Sequence, residues 1–287
     1  MLPRSHHRLH RLASLLLLGA LAGPGALRAQ SSGEDVRPVV DASSVKDRAV
    51  PANHRPTLFI VGDSTARNEL PQRGWGDEFA AFFDLTKINV VNLAIGGRSS
   101  RTFRTEGRWD SVLAETKPGD FMIVQFGHND VGPVDERSRF RGSLKGMGSE
   151  TRDVVRPDGK TETVHTFGWY MTKYATDAKA KGVNIVIASP IPHKKWQDDF
   201  AGYRKWGAAA AADAGVPFID VTAITSVVYA KLGPTRVEKL FADKGTHTNL
   251  EGAQLNAQSV VAGLKGLPAH PLDIYLSPKG KAVPAAS

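Results

Sequence analysis

Residues 57–65 read TLFIVGDST, a short apolar run that ends in Gly-Asp-Ser-Thr. Four further apolar runs, rich in β-branched residues, follow it along the chain at 88–94, 121–126, 184–188 and 217–221. Their hydrophobicity is nearly continuous rather than alternating, which is typical of parallel strands buried on both faces. The five runs therefore predict the strands of one buried sheet.

Segments with helical patterns lie between and after these runs. They cover residues 75–84, 108–115, 166–181, 200–214 and 250–264. Alternation of strands and helices predicts right-handed crossovers that place helices on both faces of a parallel sheet. We therefore expect an α/β protein, a three-layer α/β/α sandwich with a central, mostly parallel five-stranded sheet.

The N-terminal sequence has the pattern of an export signal. Residues 1–11 are basic, residues 12–23 are apolar but too few to span a bilayer comfortably, and cleavage is expected near Ala29. A retained membrane anchor is the less favoured alternative. We expect residues 1–29 to be a signal peptide and the mature protein to be periplasmic or extracellular, with no membrane association after cleavage.

The rest of the chain divides by composition. Residues 30–56 are rich in Ser, Asp and Pro and predict a linker or leader, and residues 57–267 form the expected main domain. Residues 132–165 interrupt the strand–helix rhythm and predict an insertion containing a hairpin with a Pro-Asp-Gly turn. Residues 268–287 are a C-terminal tail that we expect to be frayed from Lys279 onward.

Composition excludes several classes of function. The 287 residues contain no cysteine, which excludes disulfide frameworks, cysteine zinc sites, iron–sulfur clusters and a thiol nucleophile. The formal net charge is +8, but four arginines belong to the first 29 residues, so the remainder is only mildly basic. Without a long Lys/Arg run, nucleic-acid binding is not expected, whereas an acidic small molecule or polyanion is compatible.

Polar clusters follow the first three predicted strands, and a fourth precedes the last helix. Their sequences are Gly62-Asp63-Ser64-Thr65, Gly96-Gly97-Arg98-Ser99, Gly127-His128-Asn129-Asp130 and Asp243-Lys244-Gly245-Thr246-His247. The carboxyl ends of parallel strands face one crevice, so the first three clusters should converge there. A serine, glycine amides, an asparagine and an Asp/His pair are the groups that acyl transfer requires.

These four blocks, in this order, resemble those of the SGNH (GDSL-type) hydrolases, whose fold is flavodoxin-like. The stretches GDST, GGRSSRTF, FGHND, SPIPHKKW and THTNLEGAQLNA are most similar to the rhamnogalacturonan acetylesterases. The resemblance implies that Ser64 is the nucleophile and His247 the base. It also implies an oxyanion hole made by the Ser64 and Gly97 amides and the Asn129 side chain. The implied chemistry needs no metal and no organic cofactor.

The acid and base depart from the family's spacing. The family usually shows Asp-x-x-His, whereas three residues separate Asp243 from His247. We expect Gly245 to allow a tight turn that returns the Asp243 carboxylate to the imidazole. Glu238 is the next acid upstream, and a Ser64–His247 dyad without an acid is the alternative.

Substrate contacts are predicted around the crevice. Arg98 and Arg101 could pair with galacturonate carboxylates, although solvated loop arginines are commoner. His193 and Trp196 are candidate sugar contacts, and the alternatives are a satisfied surface histidine and ordinary packing. His165, Trp75 and Trp169 are further candidate sugar contacts, with the same alternatives of a satisfied surface histidine and ordinary packing. His128 is expected to be packed, Asp130 to be a structural acceptor, and Asp63 either a cap or part of the site.

The function implied is a secreted carbohydrate esterase that removes acetyl groups from pectin of the rhamnogalacturonan type. The expected partner is an acetylated polysaccharide or oligosaccharide, and the protein is expected to be a monomer. Two alternatives stay open. One is a lipid, aryl or acetylxylan esterase on the same scaffold, and the other is a non-catalytic sugar-binding protein.

Overall fold

The computed structural model describes residues 49–135, 139–197, 199–269 and 271–286. The predicted signal peptide, residues 1–29, and most of the predicted linker, residues 30–56, lie outside the described residues. Within the described part of the chain, every helix is too short or too polar to cross a membrane.

A five-stranded parallel sheet forms the centre of the protein, as the sequence predicts. The strands of the protein are β1 (Thr57–Gly62), β2 (Asn89–Asn92), β3 (Phe121–Gln125), β4 (Thr151–Val155), β5 (Thr161–His165), β6 (Asn184–Ala188) and β7 (Phe218–Ile219). The sheet has the strand order β2-β1-β3-β6-β7, and each neighbouring pair is parallel. A separate two-stranded antiparallel hairpin is formed by β4 and β5.

Helices follow the strands of the sheet. In chain order they are α1 (Trp75–Glu78), α2 (Ser100–Thr105), α3 (Arg108–Glu115), α4 (Phe167–Ala180), α5 (Ala201–Ala214), α6 (Val221–Leu232), α7 (Pro234–Glu238), α8 (Leu250–Lys265) and α9 (Pro278–Lys281). Short 3₁₀ turns span Phe79–Phe82 and Asp273–Tyr275.

Alternate side chains of β1 enter two separate hydrophobic cores. Phe59 and Val61 pack with the side chains of α2, α3, α4 and α5, whereas Leu58 and Ile60 pack with those of α1 and α8. All four side chains are fully buried. Because successive side chains of a strand point to opposite faces, this division defines the three layers of the predicted α/β/α sandwich.

The last predicted strand is much shorter than its apolar run. Residues 217–221 predict a strand, but β7 contains only Phe218–Ile219 because Asp220 begins a helix that the sequence analysis missed. The Asp220 carboxylate accepts a hydrogen bond from the Ala223 amide at 3.1 Å and so caps α6. The Asp220 cap therefore starts a helix in a sequence whose β-branched residues favour a strand.

The C-terminal segment is packed, and the prediction that it is frayed from Lys279 is wrong. Leu276 and Val283 are buried in the core beneath α8. The Ser277 amide donates to the Phe82 carbonyl at 3.0 Å, and the Lys279 ammonium lies 4.6 Å from the centre of the Phe82 ring. Its apolar residues therefore complete one face of the sandwich.

The insertion at 132–165 carries the predicted hairpin and is attached to α2 by an ion pair whose arginine is fully buried. The Arg101 guanidinium, on α2, donates two hydrogen bonds to the Glu162 carboxylate of β5, at 2.6 and 3.0 Å. It also donates to the Val134 and Gly142 carbonyls, both at 2.8 Å. These bonds fix the insertion beside the carboxyl ends of the sheet strands.

Candidate active site

The turn after β1 presents Ser64 at the carboxyl edge of the sheet. Asp63 Oδ1 accepts hydrogen bonds from the Thr65 amide at 2.9 Å and from the Thr65 hydroxyl at 2.7 Å, which closes the turn. Gly62 permits the close approach of β3, since a Cβ there would lie 2.8 Å from the Gln125 carbonyl oxygen. Asp63 is fully buried, whereas Ser64 is partly exposed.

Ser64, His247 and Asp243 form a continuous chain of hydrogen-bonding groups. Ser64 Oγ lies 2.8 Å from His247 Nε2, and His247 Nδ1 lies 2.6 Å from Asp243 Oδ2. A carboxylate accepts the Nδ1–H, so Nε2 of the neutral imidazole is left to accept the serine proton. The structure therefore places the three predicted residues in the geometry of an Asp–His–Ser triad.

The Asp243 carboxylate itself closes the turn that brings it back to His247. Its Oδ1 accepts the amides of Gly245, Thr246 and His247 at 2.9, 2.8 and 3.0 Å. Burial raises the pKa of Asp243, but these backbone hydrogen bonds outweigh burial and hold that pKa below its ordinary value. The carboxylate is thus kept ionised beside the imidazole.

The turn between Asp243 and His247 does not depend on the backbone freedom of Gly245, which the sequence had predicted. Its φ lies outside the left-handed region, and a Cβ there would meet Lys194 Cβ at 3.6 Å, an ordinary contact. The expectation that glycine flexibility accommodates the extra residue is therefore wrong. The cause is the side-chain acceptor of Asp243, which gathers three consecutive amides and needs no glycine.

The three predicted oxyanion-hole donors are the Ser64 amide, the amide of Gly97 in the turn beside Ser64, and the side chain of Asn129. Gly97 has φ 78°, a conformation that favours glycine, and the neighbouring Gly96 lies against the Ser64 side chain. Among the described residues, neither the Ser64 amide nor the Gly97 amide has an acceptor in the protein. Asn129 Nδ2 donates one hydrogen to the Arg98 carbonyl at 2.9 Å, which fixes the amide group and leaves its second hydrogen.

Two titratable groups flank Asn129, the fully buried Asp130 and the partly buried His128. Asp130 accepts hydrogen bonds from the Ser100 hydroxyl at 2.5 Å and the Ser100 amide at 3.1 Å, and burial raises its pKa to about 6. His128 Nε2 donates to the Ile191 carbonyl at 2.8 Å, and burial lowers the pKa of His128 to about 4. Both side chains hold the Asn129 loop in place, as the sequence analysis expects of them.

His193 lies between the Asn129 loop and the Asp243–His247 turn. Its ring is edge-on to His128, with centroids 4.7 Å apart, and the next residue, Lys194, donates its amide to the Gly245 carbonyl at 2.8 Å. His193 Nδ1 lies 2.9 Å from Asp199 Oδ2, and 35% of the His193 side chain is exposed. The predicted sugar contact is therefore at the site and is oriented by a carboxylate.

Arg98 does not face the crevice, so its prediction as a substrate ligand is wrong. It is 6% exposed, and its guanidinium donates to Glu106 at 3.0 Å and to the Gly96 carbonyl at 3.1 Å. Glu106 comes directly after α2, and its carboxylate neutralises the positive charge of Arg98 inside the protein. Arg98 consequently holds the Gly96–Gly97 turn rather than a ligand, and buried Arg101 is likewise committed to Glu162.

The tryptophans are used mainly for packing. Trp75 is fully buried and donates its indole N–H to Gln125 at 2.9 Å. Trp196 is partly exposed and packs edge-on against Tyr229, with ring centroids 5.7 Å apart. The structure therefore places Trp196 in a small apolar cluster and not as an open stacking platform. Trp169 stacks on His165 with centroids 3.7 Å apart, on the same side as the insertion.

A known protein family matches most of the chain. The sequence pattern of the GDSL-like Lipase/Acylhydrolase family matches residues 60–255. The chain belongs to this family. The resemblance inferred from the sequence is therefore confirmed, and the chain is an ester hydrolase.

Similar proteins match most of this chain. The chain is 34% identical over 218 residues to a rhamnogalacturonan acetylesterase of Emericella nidulans, and the match covers 73% of this chain and 85% of that relative. It is 28% identical to the rhamnogalacturonan acetylesterase RhgT of Bacillus subtilis, covering 78% of this chain and 96% of that protein.

Solved structures share the fold. The crystal structure of YxiM from Bacillus subtilis is 26% identical with a TM-score of 0.58, and the match covers 74% of this chain and 56% of that one. Axe2, an acetylxylan esterase from Geobacillus stearothermophilus, is 17% identical with a TM-score of 0.50, over 72% of this chain and 92% of that one. The second likeness concerns the fold alone.

Two residues of this GDSL-family site escaped the sequence analysis. Asp199 lies six residues after His193, on the far side of a loop, and gives no local signal. Arg141 belongs to the insertion and reaches the Gly97 carbonyl at 3.4 Å, a contact that depends on the path of the insertion. Among the described residues, no group of His, Asp and Glu side chains is arranged to hold a metal ion.

Proposed function

We propose that this protein is a secreted carbohydrate esterase that removes acetyl groups from pectin of the rhamnogalacturonan type, with Ser64 as its nucleophile. The observation that carries the proposal is the Asp243–His247–Ser64 chain, in which the two hydrogen-bond distances are 2.6 and 2.8 Å. The names of the relatives support the acetyl ester and the carbohydrate, because two of them are rhamnogalacturonan acetylesterases.

The first half of the reaction transfers the acetyl group to the enzyme. Ser64 Oγ attacks the acetyl carbonyl carbon while His247 Nε2 takes the hydroxyl proton. The negative charge that forms on the carbonyl oxygen is stabilised by the Ser64 and Gly97 amides and the Asn129 side chain. The imidazolium is stabilised by the Asp243 carboxylate and then protonates the departing sugar oxygen.

The second half releases acetate. A water molecule gives its proton to His247 and attacks the acetyl-enzyme, and the same three donors stabilise the second tetrahedral intermediate. When that intermediate collapses, the His247 proton returns to Ser64 Oγ. His193, held by Asp199 at the rim of the site, contacts the sugar that carries the acetyl group.

Secretion is part of this proposal and depends on the first 29 residues. Their basic start, short apolar run and small residues near Ala29 support an export signal. Expression of the full chain followed by N-terminal sequencing of the exported protein tests it. A mature protein that begins near Gln30 is expected, and an intact N-terminus on an exported, membrane-bound protein would contradict it.

The substrate is tested by measuring acetate release from a panel of acetylated compounds. Acetylated rhamnogalacturonan is compared with acetylated xylan and with p-nitrophenyl esters of increasing chain length. We expect the highest kcat/KM on rhamnogalacturonan and, among aryl esters, on the acetate. A preference for xylan would favour an acetylxylan esterase, and a preference for long acyl chains would favour a lipid esterase.

A further inference from the structure

The loop that follows β6 lies between two loops that carry the acyl-transfer groups. The Ile191 carbonyl accepts a hydrogen bond from His128 at 2.8 Å, in the loop that supplies the side-chain donor of the proposed oxyanion hole. The Lys194 amide donates to the Gly245 carbonyl at 2.8 Å, in the turn that joins the acid and base of the triad. His193 comes between these two anchor points, so its position at the rim of the site is fixed from both sides.

The His193 ring is held in one orientation by its neighbours. Its Nδ1 lies 2.9 Å from Asp199 Oδ2, and the same oxygen accepts the His193 amide at 2.6 Å. The ring stacks on Phe200, with centroids 4.9 Å apart and planes inclined by 19°, and it meets the His128 ring edge-on. Phe200 has φ 54°, a strained value for a bulky residue. Strain of this kind persists where the surrounding structure holds it, and it is concentrated at functional sites.

The Asp199 carboxylate determines which nitrogen of His193 carries the hydrogen. Burial raises the pKa of Asp199, but hydrogen bonds from the His193 side chain and amide outweigh burial and hold that pKa below its ordinary value. An ionised carboxylate only accepts, so Nδ1 carries the hydrogen of the neutral ring and Nε2 keeps its lone pair. Among the described residues, none forms a hydrogen bond with Nε2, and 35% of the side chain is exposed. Nε2 is therefore an acceptor that a ligand can reach.

We propose that His193 Nε2 accepts a hydrogen bond from the free hydroxyl group beside the acetyl ester on the same sugar ring. This inference rests on the proposed function and names the group that His193 recognises. A neutral imidazole whose Nδ1–H is already bound can pair only with a donor, and the neighbouring hydroxyl of the sugar is one. A second acetyl ester at that position has no hydrogen to donate. The enzyme therefore selects sugars that carry a single acetyl ester next to a free hydroxyl.

The test removes the hydroxyl from the substrate and the imidazole from the enzyme. Synthetic rhamnogalacturonan oligosaccharides carry one acetyl ester, and the neighbouring hydroxyl is either present or replaced by hydrogen. The ratio of kcat/KM for acetate release from the two forms is measured for each protein. His193→Phe keeps a ring to stack on Phe200 but has no nitrogen. Its ratio is expected to be about tenfold lower than that of the wild type, the size of one hydrogen bond, and the comparison cancels the intrinsic reactivities of the substrates.

His54→Phe is the matched control. His54 is exposed, and the next residue, Arg55, donates to the Leu85 carbonyl shortly before β2, so the same change is made at the amino edge of the sheet, opposite the active site. It is expected to keep the wild-type ratio. His193→Leu removes the same nitrogens with a smaller side chain and is expected to behave as His193→Phe does. Unfolding midpoints and labelling of Ser64 by a fluorophosphonate verify that each variant is folded.

Each other outcome has a definite meaning. Equal ratios in the wild type and the His193 variants show that His193 does not bind the hydroxyl, and they overturn the inference while the proposed function stands. A ratio that is lowered to the same extent in His54→Phe also overturns the inference alone. Activity of the wild type on acetylated xylan without activity on either oligosaccharide overturns both.

Discussion

Asp243 Oδ2 lies 2.6 Å from His247 Nδ1, although three residues separate the two in the chain. The intervening turn is closed by the other oxygen of the same carboxylate, which accepts three consecutive amides. One carboxylate therefore both shapes the loop and orients the imidazole. This double use explains how the longer spacing preserves the geometry that a triad needs.

Replacement of Asp243 by Asn tests the orienting function. The Asn oxygen can still accept the backbone amides, but its NH₂ group then faces His247 Nδ1 and favours the tautomer whose protonated Nε2 cannot accept the Ser64 proton. We expect kcat to fall roughly 10²- to 10⁴-fold, less than on loss of Ser64. Steady-state kinetics on p-nitrophenyl acetate measures it.

Glu238→Gln is the control for this variant. Glu238 is the other acid upstream of His247, but its carboxylate is largely exposed and pairs with Lys194 at 2.8 Å. Its replacement is expected to leave kcat unchanged. A large loss in Glu238→Gln together with a small one in Asp243→Asn would show that the acid has been assigned to the wrong residue.

Gly245→Ala tests how the turn is made. Because Gly245 has an ordinary φ and space for a Cβ, we expect kcat to stay within about twofold and the stability to be equal or slightly higher, as for other compatible glycine positions. Gly97→Ala, at φ 78°, is the contrasting case and should be strained. Thermal unfolding and steady-state kinetics measure both. Loss of activity in Gly245→Ala would mean that the turn needs glycine.

Asn129→Ala tests the side-chain donor of the oxyanion hole. Its amide is fixed by the Arg98 carbonyl at 2.9 Å and would act on charge that develops only in the transition state. We expect kcat to fall roughly 100- to 1000-fold with little change in KM. If KM rises while kcat stays the same, Asn129 binds substrate or shapes its turn and does not stabilise the oxyanion.

The strands and the catalytic blocks could be predicted because they depend on local sequence. Continuous apolar runs predict strands that are buried on both faces. The residues that follow β1 and β3 must then lie at the carboxyl edge of the sheet. The partners of the arginines could not be predicted in this way. Arg101 pairs with Glu162, 61 residues away, only because the insertion folds back onto α2.

Helix α6 and the C-terminal segment show the same limit. The run at 217–221 has the composition of a strand, but the Asp220 cap turns its second half into a helix. The sequence after Lys279 has the polar and Pro/Ala composition of a frayed end, yet Val283 is buried against the core. A local side-chain cap decides the first case and tertiary packing decides the second, and the pattern of apolar residues reveals neither.

The lowered pKa of His128 predicts a specific pH dependence of stability. Burial lowers its pKa from 6.5 to about 4, so between these values the unfolded chain binds a proton that the folded protein does not. The His128 contribution therefore lowers the free energy of unfolding as the pH falls from 6.5 to 4, by about 3 kcal/mol in total. The raised pKa of Asp130 acts in the opposite direction below pH 6.

His128→Gln isolates this effect, since Asp130 is present in both proteins. Denaturant unfolding at pH 7 and at pH 4.5 should show that the variant loses less stability on acidification than the wild type. His54→Gln, at an exposed histidine, is the control and should follow the wild type. An identical pH dependence in His128→Gln and the wild type would contradict the lowered pKa of the His128 imidazole.

Ser64, activated by His247, is the nucleophile that we propose. The most direct test is reaction with a fluorophosphonate probe, followed by intact-mass measurement and peptide mapping. We expect one adduct per chain, on Ser64, with activity lost in proportion to labelling and no adduct on Ser64→Ala. An adduct on a different serine, or full labelling of Ser64 with acetyl-ester hydrolysis intact, would contradict it.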